Sequence, residues 1–213
     1  PLSRLKAGLQ GVVPALDEML YWFAAAQVRN RATLGGNIGT ASPIGDLPPV
    51  LLALDATLTL ASAAGTRTVA IASFFTGYRQ TLRRADEVIV AVTLPKTMAP
   101  GAARRLSQAY KVGKRGTDDI SIVAAAFTID LDARGMIVLA RLAYGGVAAT
   151  PIRALDAEAA LLGQPWTQAT VQAIKPQLLE TFTPLSDLRA SADYRNRLVA
   201  NLFEKFFVEF SGD

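Results

Sequence analysis

The sequence predicts an α+β protein built from two units, and three observations support this prediction. Hydrophobic residues make up 51% of the 213 positions, so the chain carries enough apolar side chains to fill a core. Segments with the pattern of strands and segments with the pattern of helices come in blocks and do not alternate strictly. A stretch rich in proline and small residues, at 96–103, lies between the blocks. We therefore expect one unit over residues 1–98 and a second unit over residues 103–213.

The first unit is predicted to contain a helix over residues 14–28, where apolar residues recur at helical spacing. A glycine-rich loop over residues 28–49 follows, and "LPPVLLALDA" predicts a short buried helix that has prolines in its first turn. "TLTLAS" and "TRTVAI" alternate polar and apolar residues on either side of "AAGT", which predicts a hairpin. "SFFTGYRQT" predicts a turn or a short helix, and "EVIVAVTLP" predicts a strand.

The second unit is predicted to contain three strands followed by helices. The strands are "RRLSQAYKVG", "ISIVAAAFTIDLD" and "MIVLARLAYGG", and the last two are joined at "ARG", which is a plausible hairpin turn. Helices are expected at about 153–163, 167–181 and 191–210. The last of them carries aromatic residues at helical offsets, which predicts a stripe that is buried in the core or in an interface: Phe203, Phe206, Phe207 and Phe210.

Composition and charge exclude several functions. The chain has no cysteine and no histidine, so it offers no thiolate nucleophile, no iron–sulfur ligand, no histidine base and no usual metal site. The net charge of +4 is dispersed, which argues against nucleic-acid binding. No apolar run approaches the roughly 20 residues of a membrane helix, and no secretion signal is found at the start. The lack of cysteine favours a cytoplasmic protein, and the start at Pro1 favours a piece of a longer polypeptide.

The segment "VRNRATLGGNIGTASPIGDLPP", residues 28–49, is the best candidate for a ligand site. Its closely spaced glycines allow a ligand to approach backbone amides, and successive amides that point inward bind anions. Short polar side chains and one carboxylate add hydrogen-bonding groups suited to the hydroxyls of a ribityl or ribose chain. Neither G-x-x-x-x-G-K-[ST] nor G-x-G-x-x-G is present, so no standard phosphate motif applies. From the residues alone, a purely structural cluster of turns is an equally good interpretation.

Several segments, taken in order, resemble the FAD domain of molybdenum hydroxylases, the family of xanthine dehydrogenase, aldehyde oxidase and the carbon monoxide dehydrogenase flavoprotein. They are "ATLGGNIGTASPIGDLPPVLLAL", "FFTGYRQTLRRADEVIVAVTLP", "YKVGKRGTDDISIVAAAF", "LAYGGVAATPIRA" and "FTPLSDLRASADYR". The patterns "GGNI…SP…D" and "FTPLSDxRASxxYR" are most similar to the small subunit of bacterial xanthine dehydrogenase. The resemblance extends over nearly the whole chain, from about residue 14 to residue 210.

This resemblance implies the fold in more detail. Residues 1–98 would form the second lobe of a two-lobed FAD-binding domain of the vanillyl-alcohol-oxidase type. Residues 103–213 would form the C-terminal domain, with a three-stranded antiparallel sheet and helices. The first lobe, which holds the FAD pyrophosphate, and the iron–sulfur domains are not in this sequence and are expected upstream. The chain alone is therefore expected to bind FAD weakly or not at all and to be inactive.

The resemblance also implies a function. A substrate such as hypoxanthine or xanthine would be oxidised at a molybdenum cofactor on a large partner subunit, and electrons would pass through 2Fe-2S clusters and FAD to NAD. The chain would supply no acid or base of its own, because the hydride chemistry belongs to the flavin. Two alternatives remain open at this point. One is the flavoprotein of a carbon monoxide dehydrogenase or aldehyde oxidase, and the other is a non-catalytic assembly module.

The resemblance finally implies which residues meet the cofactor. Ten match positions that contact FAD: Phe23, Thr33, Gly35, Gly36, Asn37, Thr40, Ser42, Asp46, Ile89 and Lys111. Three more match a charged loop beside the flavin that tunes its potential and the access of NAD: Arg115, Asp118 and Asp119. The residues by themselves allow other interpretations, because Phe23 and Ile89 have the spacing of core residues and Lys111 that of a solvated strand lysine. The charged loop can equally be a polar turn between strands.

Overall fold

The computed structural model describes residues 1–116 and 118–211. It confirms the predicted α+β class, with helices packed on antiparallel sheets. The helices are α1 Leu2–Leu9, α2 Pro14–Trp22, α3 Ala26–Arg29, α4 Leu34–Gly39, α5 Leu47–Ala53, α6 Leu155–Leu161, α7 Gln168–Glu180 and α8 Ala192–Phe210. The strands are β1 Thr57–Ser62, β2 Gly65–Ala70, β3 Phe75–Gly77, β4 Gln80–Thr81, β5 Val88–Thr93, β6 Arg104–Val112, β7 Val123–Leu131, β8 Ile137–Gly145 and β9 Ile152–Arg153.

The prediction of a helix over residues 14–28 is wrong for the second half of that range. α2 ends at Trp22, and the chain turns at Ala24, which has a left-handed backbone with φ of 44°. Arg29, on α3, stabilises the turn because its guanidinium donates hydrogen bonds to the carbonyl oxygens of Phe23, at 2.6 Å, and of Ala24. These carbonyls lie at the end of α2, where they lack intrahelical partners. The sequence pattern alone does not reveal this use of an arginine.

The glycine-rich segment is also not the open loop that was predicted. Residues 34–39 form the helix α4, and Thr33 caps its start by accepting a hydrogen bond from the Gly36 amide at 2.9 Å. Glycine lowers helix propensity by about 1 kcal/mol per residue, which explains why the pattern indicated a loop. The helix is held by its cap and by packing on β5, where the Gly35 backbone lies close to Ile89.

The first half of the chain forms a three-stranded antiparallel sheet in the order β2-β1-β5. The predicted hairpin and the predicted strand "EVIVAVTLP" are both present in it. Leu58 and Leu60 of β1 are fully buried on one face, against a core that α2 and α5 also enter. A short 3₁₀ turn, Ile71–Ser73, and the two-stranded β3-β4 hairpin connect β2 to β5.

The second half contains a four-stranded antiparallel sheet, β6-β7-β8-β9, where three strands were predicted. The added strand β9 has only two residues, which pair with Ala143 and Tyr144 of β8. It occupies the start of the segment predicted as a helix from residue 153, so α6 begins at Leu155. Two residues are too few for a pattern of alternation to show in the sequence.

The central strand β7 is buried at all nine positions, because the sheet is covered on both faces. One face contacts α8, whose Phe203 and Phe206 rings lie 5.6 Å and 5.5 Å from the Phe127 ring, measured between centroids. The predicted aromatic stripe of α8 is therefore a core element. The opposite face carries small residues, Ala124 and Ala126, against α5 of the first half. The boundary near residues 96–103 stays a prediction, because the two halves share this core.

None of the described helices combines the length and the apolar character needed to span a lipid bilayer. Within residues 1–116 and 118–211, no group of acidic side chains is arranged to hold a metal ion.

Candidate functional site

An open groove of about 430 Å³ runs between α4 and the start of β5. It is lined by Thr33, Gly35, Gly36, Gly39, Thr40, Arg83, Glu87, Val88 and Ile89. The structure thus brings together five of the predicted contact residues, four from α4 and its flanks and Ile89 from β5. Side chains are absent from the glycine positions, so the groove floor is backbone that a flat ligand can approach closely.

Asn37 lies on the same helix, and its side chain has a polar atom without a hydrogen-bond partner. Its Oδ1 atom is buried and accepts no hydrogen bond from any described residue. A buried acceptor without a partner costs about 1–3 kcal/mol. Such a group is usually satisfied by a ligand or by water. Four other buried polar atoms of the described residues also lack partners, and a cofactor with hydroxyl or amide donors would satisfy the one on Asn37.

The hydroxyl groups of the segment have local partners. Thr33 caps α4, and the Thr40 hydroxyl donates to the Gly36 carbonyl oxygen at 2.8 Å. The Ser42 hydroxyl accepts a hydrogen bond from the Ile44 amide at 3.4 Å, which closes a turn. Each hydroxyl oxygen keeps further hydrogen-bonding capacity. Thr33 and Thr40 therefore shape the wall of the groove, whereas Ser42 lies outside its lining.

Asp46 and Lys111 meet each other rather than the groove. The Lys111 Nζ atom lies 2.7 Å from Asp46 Oδ2, and the lysine side chain is only 4% exposed. Ser121 donates its hydroxyl proton to the other carboxylate oxygen, Oδ1, at 2.6 Å. The three side chains form a buried cluster that joins the end of the glycine-rich segment to β6 and to the start of β7. Sequence reasoning missed Ser121, because nothing in the chain indicates a partner 75 positions away.

Phe23 is 7% exposed and packs in the core of the first half, next to Ala24 and the turn after α2. Its ring does not line the groove between α4 and β5. The alternative interpretation of Phe23 as a core residue agrees with this position. A role toward a cofactor therefore stays a prediction for this residue.

The charged loop after β6 is held in place by its own side chains. Asp119 accepts hydrogen bonds from the amides of Arg115 and Ile120, each at 2.8 Å, and the Arg115 amide is the main reason that the pKa of Asp119 lies below its usual value. Asp118 has a left-handed backbone with φ of 52°, and its Oδ1 atom accepts a hydrogen bond from the Ala25 amide at 3.1 Å. The loop thus contacts the turn after α2. Thr117 in this loop, like residues 212 and 213, lies outside the described residues.

Glu87 stands at the mouth of the groove and is fixed by arginine. Arg67 of β2 contacts both of its carboxylate oxygens, at 2.6 Å and 2.8 Å. This pair, helped by the Arg84 amide, lowers the pKa of Glu87 to about 2. Arg83 donates to the Glu87 carbonyl oxygen at 2.7 Å, so its guanidinium lies against the groove wall. The groove is therefore bordered by one arginine, Arg83, and by the carboxylate of Glu87 that Arg67 binds.

A second groove, of about 550 Å³, lies between the two halves and was not predicted. It is lined by Pro43, Ile44, Tyr78, Gly146, Ala148, Ala149, Thr183, Leu185, Asp187 and Arg195. The motif "FTPLSDLRASADYR" supplies four of these residues. This motif contributed to the family resemblance, but no site was predicted from it.

Arg195 fixes the floor of the second groove. It is buried and donates to the carbonyl oxygens of Ile122 and Gly146, and to Asp187 Oδ1 at 2.8 Å. Burial by itself would raise the pKa of Asp187, but hydrogen bonds from the Ala190 and Arg189 amides and from Arg195 hold it below the usual value. The result is a rigid corner between β8, α8 and the segment that precedes α8.

Comparison with protein families gives two matches. Residues 1–97 match the model of the FAD binding domain in molybdopterin dehydrogenase, and residues 108–210 match the CO dehydrogenase flavoprotein C-terminal domain.

Curated relatives cover the same length of chain. The chain is 36% identical to nicotinate hydroxylase of Emericella nidulans over 97% of its length, and 38% identical to xanthine dehydrogenase/oxidase of Gallus gallus over 92%. It spans only about 15% and 14% of those two proteins, respectively. The nicotinate dehydrogenase FAD-subunit of Eubacterium barkeri is 32% identical, and the chain covers 66% of it.

Solved structures support the same relationship. A chain of carbon monoxide dehydrogenase from Hydrogenophaga pseudoflava superimposes with a TM-score of 0.84 at 32% identity, over 92% of this chain and 67% of that one. A chain of quinoline 2-oxidoreductase from Pseudomonas putida 86 gives a TM-score of 0.79 at 29% identity, over 91% of this chain and 65% of that one.

Proposed function

The chain belongs to the FAD-binding domains of the molybdenum hydroxylases, and we propose that it holds FAD in a xanthine dehydrogenase-like oxidoreductase. In that enzyme, electrons from the oxidation of hypoxanthine or xanthine would reach NAD. The bound flavin supplies the redox chemistry. The residues of this chain would bind it and orient it. The observation that supports the proposal most directly is the buried, unpartnered Oδ1 atom of Asn37 on the glycine-rich helix.

The groove between α4 and β5 is the proposed place of the cofactor. The glycines would let it approach the backbone, and Ile89 would contact it through its aliphatic side chain. Asn37, on the same helix but outside the groove lining, would accept a hydrogen bond from it through Oδ1. The groove is open, so this chain covers the cofactor from one side only. We propose that an upstream lobe holds the pyrophosphate and covers the other side. The isolated chain should therefore bind FAD weakly.

Partners follow from the family. In its members, the molybdenum cofactor and the 2Fe-2S clusters belong to other domains or subunits. We therefore propose that this chain works with a molybdenum-binding large subunit and iron–sulfur domains, in the cytoplasm. Within residues 1–116 and 118–211, no histidine and no cysteine are available to hold such groups.

The second groove is the proposed path of the electron acceptor, NAD. Its walls are mostly apolar, and Tyr78, which is 61% exposed and has the Arg79 guanidinium 5.8 Å from its ring centroid, would offer an aromatic surface to a flat base. Lys114 donates to the Leu188 carbonyl oxygen at 3.0 Å, which places the charged loop next to the segment that lines this groove. Charges of the loop would then act on both the flavin and the approaching dinucleotide.

The first test is the substitution Asn37→Ala in the intact enzyme. It removes an acceptor that has no partner in the described protein, so the fold should keep its stability while flavin binding loses about 1–3 kcal/mol. Flavin content per protein after purification is the measurement. Asn201→Ala, an exposed asparagine on α8, is the matched control and should keep full flavin content. Full flavin content in Asn37→Ala would contradict the proposed site.

The second test concerns the charged loop. A carboxylate near the flavin disfavours the negatively charged reduced form, and an arginine favours it. Asp118→Asn should therefore raise the flavin reduction potential, while its oxygen still accepts from Ala25, and Arg115→Gln should lower it. Potentiometric titration gives the potentials, and stopped-flow kinetics with NAD gives the reoxidation rates. Asp156→Asn on α6 is the control, and wild-type values in both loop variants would show that the loop only connects strands.

A second candidate is the flavoprotein of a carbon monoxide dehydrogenase or aldehyde oxidase. It is favoured by the similarity to the carbon monoxide dehydrogenase chain at 32% identity. The two candidates share the flavin site and differ in substrate and acceptor. Turnover of the intact enzyme with xanthine, nicotinate, an aldehyde and carbon monoxide, each with NAD and with an artificial acceptor, separates them.

A further inference from the structure

The segment at 42–46, between α4 and α5, is held by hydrogen bonds of its own turn and by contacts from the C-terminal half of the chain. The Pro43 carbonyl oxygen accepts a hydrogen bond from the Gly146 amide at 2.7 Å. A side chain added at Gly145 would place its first carbon 3.2 Å from the same oxygen, so β8 ends in close contact with the segment. The glycine-rich helix is thus joined to a turn that takes its position from distant strands.

The tightest of these attachments is the buried cluster of Asp46, Lys111 and Ser121. Lys111 binds one carboxylate oxygen at 2.7 Å, and Ser121 binds the other at 2.6 Å. Ser121 is 1% exposed. A single cation leaves a carboxylate free to rotate about the contact, whereas donors on both oxygens fix its plane. Lys111 therefore supplies the charge, and Ser121 supplies the orientation.

Ser121 also lies between the charged loop and a backbone carbonyl that Arg195 binds. It follows Asp119 and Ile120 of the charged loop and directly precedes Ile122, whose carbonyl oxygen is bound by Arg195. Asp46 directly precedes α5, which is buried along its whole length. The hydrogen bond from the Ser121 hydroxyl to Asp46 therefore joins the charged loop after β6 to the segment at 42–46 and to the start of α5.

We propose that Ser121 is a positioning residue of the flavin site, which fixes the carboxylate of Asp46 and thereby the segment at 42–46. This segment follows Thr40 of the groove wall along the chain and lines the second groove through Pro43 and Ile44. This inference rests on the proposed function. Without the hydroxyl, only a fraction of the molecules holds the segment in the binding position, and the apparent flavin affinity falls by that fraction.

The test uses Ser121→Ala in the intact enzyme, because alanine fits the serine volume and removes only the hydroxyl. A hydrogen bond to a charged group corresponds to about a tenfold change in an equilibrium constant. We expect the flavin dissociation constant to rise about tenfold and the visible circular dichroism of the bound flavin to change. The matched control is Ser107→Ala on β6, which loses a hydroxyl contact with Thr128 at 3.2 Å and does not touch the segment. It should keep wild-type affinity and spectrum.

The same substitution in a variant that lacks the Asp46 carboxylate tests whether Ser121 acts through Asp46. In the variant Asp46→Leu/Lys111→Met the carboxylate is gone, so adding Ser121→Ala should leave the flavin dissociation constant unchanged. A further loss there overturns the proposal, and so does wild-type affinity and spectrum in Ser121→Ala alone. If the wild-type enzyme contains no flavin, the proposed function itself is wrong, and the proposal for Ser121 falls with it. These outcomes distinguish the two failures.

Discussion

At the scale of single residues, the glycine-rich segment and its surroundings contain residues that line a groove and residues whose side chains are bound by distant parts of the chain. Thr33, Gly35, Gly36 and Ile89 lie together at one groove, and their contact with FAD stays a prediction. Asp46 was expected to accept hydrogen bonds from ligand hydroxyls, yet both of its oxygens are bound by side chains 65 and 75 positions away. Such pairs form only when distant strands meet. No local pattern can show them.

The contrast between Asn37 and Asp46 leads to a prediction about stability. Removal of one partner of a buried ion pair costs about 3–5 kcal/mol, because the other charge stays buried without compensation. Asp46→Ala should therefore lower the free energy of unfolding by that amount, whereas Asn37→Ala should leave it nearly unchanged. Urea unfolding of the chain at neutral pH measures both. The double variant Asp46→Ala/Lys111→Met should recover part of the loss, and a loss equal to that of the single variant would contradict a buried pair.

At the scale of secondary structure, long periodic segments were predicted well and short ones were not. α8 and the strands β6, β7 and β8 lie within a few residues of the expected bounds, because their apolar patterns extend over many positions. α4 was taken for a loop, since its glycines hide a helix that depends on a cap and on packing against β5. β9 has two residues and is defined only by its neighbour β8. These elements are products of tertiary structure.

The ion pair that joins β2 to the start of β5 predicts a pH dependence. The pKa of Glu87 lies at about 2 in the folded chain, against 4.5 as its usual value, chiefly because of Arg67. A depressed pKa adds stability that is complete above the unfolded value and is lost as the pH falls toward the folded one. The difference in urea midpoint between wild type and Glu87→Gln should therefore shrink between about pH 5 and about pH 2.

The control for this experiment is Asp86→Asn, which changes the exposed neighbour and should alter this pH profile much less. A difference between wild type and Glu87→Gln that stays constant with pH would mean that Glu87 is not bound by Arg67 in solution. The groove would then lack the fixed wall described above.

At the scale of the whole molecule, the chain has two family matches and two apolar clusters, and one of these clusters contains residues of both halves. Ala109, Ala124, Ala126 and Ala143 of the second half pack in the same cluster as α2 and α5 of the first. Asp55 adds ion pairs to Arg141 at 2.7 Å and to Arg153 at 3.1 Å. The segment at 96–103, which was expected to be a linker, is tied to β7 because Asp130 accepts a hydrogen bond from the Ala99 amide at 2.7 Å. The contact between the halves is made by alanines of the second half, and such small residues give only a weak hydrophobic periodicity in the sequence. The sequence therefore predicted two separate units.

This shared core predicts that both halves unfold together, and the chain contains the probes to test it. Its two tryptophans are Trp22 in the first half and Trp166 in the second. In the variants Trp22→Phe and Trp166→Phe, fluorescence reports one half at a time, and the urea midpoints should coincide because a two-state transition gives the same curve with every probe. Ala126→Leu, which overpacks the contact between β7 and α5 at a cost of about 1–3 kcal/mol, should lower both midpoints equally. The exposed control Ala159→Leu should lower neither urea midpoint. If Ala126→Leu lowers only the midpoint reported by Trp166, the first half unfolds independently of the second, and the prediction is wrong.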